Sequence, residues 1–267
     1  MLPDIVDAMV ERWSIEEVGV PFQPGGRTAW VAPVRIGGNF DLVLKVGWRH
    51  PEAEHEAAAL TKWEGQGAVR LYASAELEGS VAMLLERCVP GTTLGHRPEL
   101  EQDVVVAGLL RRLWLEPSPT DAFRPLQLMC DQWADEFEAE AATRRGMIDL
   151  GLARDGIELW RSLPATAEHN VLLCTDLHAE NVLAAEREPW LLIDPKPYAG
   201  DPTYDPLQHM LNCEQRLKED PLGLALRMAD LLDLDSDRLV LWLFARCVVE
   251  SFDQPICAKV ARRVAPR

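Results

Sequence analysis

The hydrophobic pattern of this chain changes its period part-way along, and few folds accommodate such a change. Up to residue 86 the apolar residues come in short runs: a segment entering at Val18 to Phe22, a strand from Thr28 to Arg35, a Gly37-Gly38 turn and a strand from Phe40 to Val46. A further strand pair is expected at Val69 to Ala73 and Val81 to Glu86. Short runs punctuated by glycine predict a small antiparallel sheet. Inside this region His50-Pro51 breaks the strand, and Pro51 to Glu64 reads as a helix with proline in its first turn, acids near its N-terminus and Gly65 as its stop. From about Leu100 the period becomes helical. Met129, Trp133 and Phe137 recur every four residues, while Asp131, Asp135, Glu136 and Glu138 occupy the other faces. Leu239 to Val249 is apolar almost all round and predicts a buried helix. Two short apolar runs, Val171 to Leu173 and Trp190 to Ile193, interrupt the helices and predict a small hairpin-like element. The Cys88 to Arg97 stretch, with Pro90, Gly91 and Gly95, marks the boundary. The expected fold class is therefore α+β: residues 1–88 form a β-rich unit with one helix, and residues 89–267 form a mainly helical one.

A chain of 267 residues suits one body of two lobes. Its formal charge of -16, from 43 acids against 27 bases, disfavours nucleic acid and anionic membranes and attracts a small cationic substrate. Surface solubility accounts for most of those acids. Six cysteines (Cys88, Cys130, Cys174, Cys213, Cys247 and Cys257) lie far apart in mostly apolar surroundings, as buried reduced thiols do. The N-terminus has no basic n-region or apolar h-region, and no apolar run approaches the ~20 residues that span a bilayer. A cytoplasmic enzyme with a small-molecule partner is expected; the pattern specifies no oligomeric state.

The chemistry concentrates in Cys174-Thr175-Asp176-Leu177-His178-Ala179-Glu180-Asn181, followed thirteen residues after the asparagine by Ile193-Asp194-Pro195. Phosphoryl transfer to an alcohol needs a carboxylate near the incoming hydroxyl and oxygen ligands that hold Mg²⁺ against the phosphates. An aspartate and an asparagine five residues apart across a loop, with a second aspartate at the end of the next apolar run, can supply both. The plain alternative is a solvated loop built on Asx turns.

This loop resembles the catalytic loop of the aminoglycoside phosphotransferases, a family similar in fold to protein kinases. Trp190 to Pro197 with Gly200-Asp201-Pro202-Thr203-Tyr204-Asp205 resembles more narrowly the streptomycin 6-kinase and hydroxyurea phosphotransferase branch, and Pro51 to Leu60 extends the likeness, which covers roughly residues 20 to 255. The resemblance implies a protein-kinase-like two-lobe fold, ATP and Mg²⁺ as cofactors, Asp176 as catalytic base, and Asn181 and Asp194 as magnesium ligands. The family usually has histidine two residues before the catalytic aspartate, where this chain has Cys174.

Lys45 closes an apolar strand, and a lysine in such a place needs a carboxylate to hold it and an anion to serve. Glu56 is the expected holder, with Glu52 as a second possibility; a lysine that merely snorkels at a strand end is the alternative. In kinase-like folds the corresponding lysine grips the nucleotide phosphates. Gly25 and Gly26, in Phe22 to Thr28, sit where a phosphate-covering loop belongs and would let backbone N–H groups approach phosphate oxygens, although adjacent glycines also make ordinary turns. Met83 to Cys88 matches the hinge whose backbone pairs with adenine, placing Glu86 and Cys88 at the nucleotide; an ordinary edge strand fits the same residues. Asp201-Pro202 reads as an N-cap with proline at the first helical position, making Asp201 and Asp205 structural.

The expected activity is transfer of the γ-phosphate of ATP to an aminoglycoside hydroxyl, with streptomycin the best single acceptor. Kinases for hydroxyurea or another small hydroxylated metabolite fit the same motifs. A nucleotide-binding pseudokinase is suggested by Cys174 alone and opposed by Lys45, Asp176, Asn181 and Asp194 standing together.

Overall fold

Strands β1 (Glu17–Val18), β2 (Ala29–Ile36), β3 (Asn39–Trp48), β4 (Leu71–Leu77) and β5 (Ser80–Glu86) form one antiparallel sheet in the order β1-β2-β3-β5-β4. The Gly37-Gly38 turn joins β2 to β3 with φ of 63° and 88°, values that suit glycine. Side chains alternate across a strand. Leu44 and Val46 of β3 therefore share one face, where they pack with Val34, Ala82 and Leu84 against Ile5 and Met9 of a helix α1 (Leu2–Arg12) that sequence reading missed. Full burial of a side chain such as Leu44 stabilises by about 1.5–3 kcal/mol. Lys45, between them, is sent to the other face.

The computed structural model describes residues 2–23, 29–51, 54–77, 79–144 and 148–266. Its residues fall into two units, Met1–His96 with Glu180–Lys196 and Arg97–Ala179 with Pro197–Arg267. The first therefore extends past the expected limit at Cys88 and takes in a distant segment. The cause is strand pairing: β6 (Pro90–Thr93) joins β8 (Val182–Ala185), which pairs in turn with β9 (Trp190–Leu192).

Two expected elements are corrected. The helix expected from Pro51 is α2 (Glu56–Trp63): Glu54 N–H closes a single turn on Pro51 O, and the regular helical bonds begin only with Ala59 N–H to His55 O at 3.0 Å. Its buried residues Glu56, Ala59, Leu60 and Trp63 make one stripe. The run Val171 to Leu173 does not pair with Trp190 to Ile193. β9 takes β8 as partner across the four residues 186–189, a short closure that outcompetes a longer one. Strand β7 (Val171–Leu173) instead pairs with β10 (Tyr198–Gly200) in the second unit.

That unit is mainly helical: α3 (Glu99–Leu113), α4 (Leu126–Ala141), α5 (Leu150–Ser162), α6 (Leu207–Asn212), α7 (Glu214–Glu219), α8 (Pro221–Leu232), α9 (Ser236–Val249) and α10 (Pro255–Val264). Helix α9 is buried nearly all round, as its composition predicts. It lies so close to α5 that a Cβ on Gly156 would meet Val248 Cγ2 at 2.4 Å. Trp242 packs edge-on against Trp160 and Tyr204 at centroid distances of 5.6 and 5.2 Å, and the tilted Trp160–Tyr204 pair at 5.9 Å completes the cluster between α5 and α9.

Candidate active site

In the first unit the alternation of β3 brings Lys45 to the first turn of α2. Its ammonium donates to both oxygens of Glu56, at 2.7 and 2.8 Å, and to Asp194. The side chains of Lys45 and Glu56 are 11% and 2% exposed, whereas that of Asp194 is 47% exposed, so solvent reaches chiefly the last of the three. Burial pushes Lys45 down, but the carboxylates of Glu56 and Asp194 more than reverse this and hold it above its ordinary value, firmly charged.

Asp194 follows β9 with a φ of 51°, a left-handed conformation that aspartate tolerates better than most residues. Asn181 precedes β8, and its carbonyl accepts the N–H of Ile193 at 2.9 Å. Asn181 and Asp194 thus stand at the two feet of one hairpin. Their amide and carboxylate oxygens are the donors a hard divalent cation prefers, so the residues fit Mg²⁺. Gly25, Gly26 and Glu52 lie outside the described residues.

Glu86 is committed elsewhere. Its N–H donates to Arg70 O at 2.9 Å, and its carboxylate receives Arg187 and the N–H of Arg70. Burial raises the Glu86 pKa, but these donors outweigh it and hold the carboxyl below its usual range. Cys88 is half-buried, and burial pushes its thiol up to about 12.

In the second unit Asp176 N–H closes a tight turn on Cys174 O at 2.7 Å, after Thr175 at φ 47°. The Asp176 carboxylate is 14% exposed, with His178 Nε2 at 3.9 Å. Asp205 fixes this turn: its fully buried carboxylate accepts the N–H groups of Cys174 (3.1 and 3.0 Å) and Thr175 (2.7 Å) and the indole N–H of Trp114 (2.9 Å). Burial raises Asp205 to about 6 against these donors, which favour its ionised form. Sequence reading made Asp205 structural but could not name its partners, which are 31, 30 and 91 residues away. Cys174 contributes a buried, neutral thiol. Asp201 caps the short turn Pro202–Tyr204 through Thr203 N–H at 2.9 Å, so the expected cap is present on a 3₁₀ turn.

Among the described residues Asp103, His209 and Cys213 bring ligand atoms within 4.8 Å of one another. They do not make a cation site, because the Asp103 oxygens already receive His209 Nε2 at 2.9 Å, Arg216 at 3.0 and 2.9 Å and Arg227 at 2.6 Å.

The chain matches, over residues 12–252, the family described as aminoglycoside/hydroxyurea antibiotic resistance kinase, and it belongs to that family. It is thus a phosphotransferase of the protein-kinase-like fold that acts on a hydroxyl group. It is 34% identical over 258 residues to a hydroxyurea phosphotransferase of Kitasatospora aureofaciens, covering 92% of this chain and 71% of that one. It is 33% identical over 252 residues to a streptomycin 6-kinase of Streptomyces griseus, covering 92% and 80%. An aminoglycoside phosphotransferase of Streptomyces rimosus, solved with ADP and streptomycin, shares the fold at a TM-score of 0.63 and 14% identity, over 93% of this chain and 98% of that one.

Replacing Asp205 with alanine would strand two buried backbone donors, each costing about 1–3 kcal/mol, and a partly buried indole N–H, so Asp205→Ala is expected to lose at least about 2 kcal/mol in denaturant unfolding. Because folding raises this carboxyl from 3.8 to about 6, the stability it contributes is full below pH 4 and declines as pH rises through 6. The advantage of wild type over Asp205→Asn should therefore narrow by roughly 3 kcal/mol between pH 4 and pH 8. An advantage that widened with pH would contradict this.

Proposed function

We propose that this chain transfers the γ-phosphate of ATP, bound with Mg²⁺, to a hydroxyl of a cationic aminoglycoside, with streptomycin the acceptor and its 6-hydroxyl the site. Asp176 takes the proton of the attacking hydroxyl. Lys45, fixed by Glu56, pairs with the nucleotide phosphates; the Gly25-Gly26 segment covers them, and the backbone at Cys88 meets adenine. Asn181 and Asp194 hold the metal, which when bound neutralises charge on the phosphates.

The observation that carries the acceptor reading is a cavity of about 160 Å³ in the second unit, between α4 and the end of α9. Trp133, Phe137 and Phe252 give it aromatic walls, and the last two stack at 4.7 Å. Glu136, Glu140, Glu250 and Asp253 also line it. Arg144 balances Glu140 at 3.5 Å and Arg246 balances Glu250 at 2.6 Å. Among the described residues Glu136 and Asp253 have no cationic partner, so two carboxylate charges are left over. The remaining acids of α4 are used differently: Asp131, Asp135 and Glu138 gather on Arg161 at 3.7, 2.7 and 3.0 Å.

The streptidine ring of streptomycin carries two guanidinium groups. Each is a planar fork that binds carboxylates and stacks on aromatic faces. Hydroxyurea phosphorylation is a second reading, favoured by the 34% identity to a hydroxyurea phosphotransferase. Hydroxyurea is small and uncharged, and would leave Glu136 and Asp253 without a role.

Phosphate transfer from labelled ATP should be seen with streptomycin, and the KM for it should rise with salt, since screening acts over about 8 Å at physiological ionic strength. Glu136→Gln and Asp253→Asn should each raise that KM about tenfold, the loss of one charge-assisted hydrogen bond, with the KM for ATP unchanged. Transfer to hydroxyurea alone would move the assignment to the second reading.

A separate test concerns the base. Asp176→Asn should lower kcat by about 10²- to 10⁴-fold while Mg-ADP affinity measured by calorimetry stays the same. Near-normal turnover would remove Asp176 from the mechanism.

A further inference from the structure

Arg187 lies at the tip of the β8–β9 hairpin and has no role in the readings above. Its guanidinium has five N–H donors, and all five are used. Nε and Nη2 make a two-pronged bond to the Glu86 carboxylate at 2.8 and 2.7 Å, Nη2 also donates to Ala68 O at 3.0 Å, and Nη1 donates to Gly65 O at 2.6 Å and to Glu188 at 2.9 Å. The two side chains are only 22% and 12% exposed, so these are not the weak contacts of a solvated surface pair.

The partners outside its own hairpin belong to two segments, the end of β5 and the connection from α2 to β4. Glu86 is the last residue of β5 and lies within the Met83 to Cys88 stretch expected as the adenine hinge. Gly65, at φ 80°, follows the left-handed cap of α2, the helix that begins with Glu56. Ala68 opens the approach to β4. The hairpin holding Arg187 has strands of only four and three residues, and its strand partner beyond itself is the short, irregular β6, so further attachments help to fix its position. At its feet stand Asn181 and Asp194. There Leu192 bonds the 67–69 segment through its N–H to Gly67 O at 2.9 Å and through its carbonyl to Val69 N–H at 3.0 Å. Arg187 makes the matching attachment at the opposite end.

We infer that Arg187 is a positioning residue for nucleotide and metal binding: one saturated guanidinium sets the hairpin bearing Asn181 and Asp194 against the end of β5 and the cap of α2. The inference deepens the nucleotide reading proposed above and rests on it. The fork geometry is the essential property. A lysine in its place keeps the charge beside Glu86 but offers three donors from a point, and cannot hold Glu86, Gly65 and Ala68 at once.

The test is calorimetric titration of Mg-ADP into wild type, Arg187→Lys and Glu86→Gln, with steady-state KM values for ATP and for whichever acceptor the wild type turns over. Arg187→Lys is expected to raise the Kd for Mg-ADP and the KM for ATP about tenfold, while the acceptor's KM stays within twofold. Glu86→Gln, which keeps the shape and removes the charge, should raise the same two constants about threefold and carries the test if the lysine variant does not fold. The two changes combined should be less than multiplicative, because they act through one contact. Unchanged Mg-ADP affinity in both variants would overturn the inference, as would an acceptor KM that rose by the same factor as that for ATP. Wild type that bound no Mg-ADP at all would instead overturn the nucleotide reading itself.

Discussion

A buried ammonium cannot stand alone, and the first unit is organised around the one at Lys45. Desolvating a charge costs several kcal/mol unless partners and hydrogen bonds compensate it. Glu56 supplies two hydrogen bonds from a wholly buried position, and Asp194 supplies another from a half-exposed one. The three side chains come from a strand, a helix and the foot of a hairpin, so the ion group fixes three elements at once. Its charges sum to one negative, and the uncompensated share lies on the carboxylate that solvent reaches. That division fits the phosphate chemistry proposed above: Glu56 keeps the lysine in place, and Asp194, although it also receives Lys45, stays open to solvent on the side where the proposed cation would bind.

The second unit solves a related problem with backbone donors. The turn before Asp176 points two consecutive N–H groups, from Cys174 and Thr175, into the interior, where each would be costly if unmet. Asp205 receives both. This arrangement also explains how cysteine stands where relatives of the resembled family carry histidine. The position is fully buried and its backbone, not its side chain, makes the anchoring bond, so a small neutral thiol suffices. Arg246 shows the same economy in the helical core: its guanidinium lies 4.4 Å from the Trp133 ring centre, bonds Tyr204 and pairs with Glu250, linking the aromatic core to the cavity wall.

Local rules made much of this legible. Strand alternation and the Gly37-Gly38 turn predict the β2–β3 pair and so put Lys45 on a face of its own, and the need of a buried lysine for a carboxylate, with the family resemblance, points to Glu56 as its holder, Glu52 being the second possibility. The loop from Cys174 to Asn181 and Asp194 stood out because few residue types can supply base and metal oxygens. What the sequence hid depends on distant partners. The return of residues 180–196 to the first unit and the saturation of Arg187 join positions up to 149 residues apart, and no periodicity encodes such contacts. Helix α1 is a different case, since Ile5 and Met9 carry a readable four-residue period. The acids of α4 were visible, but their division between Arg161 and the cavity required the positions of a neighbouring helix.

The nucleotide binding proposed for the first unit depends on the ion group at Lys45. Calorimetric titration of Mg-ADP into Lys45→Met tests it most directly, because methionine retains the apolar stem and removes only the charge. The prediction is a variant that still unfolds cooperatively and whose affinity for Mg-ADP is at least a hundredfold weaker than that of wild type. Wild-type affinity in that variant would contradict it.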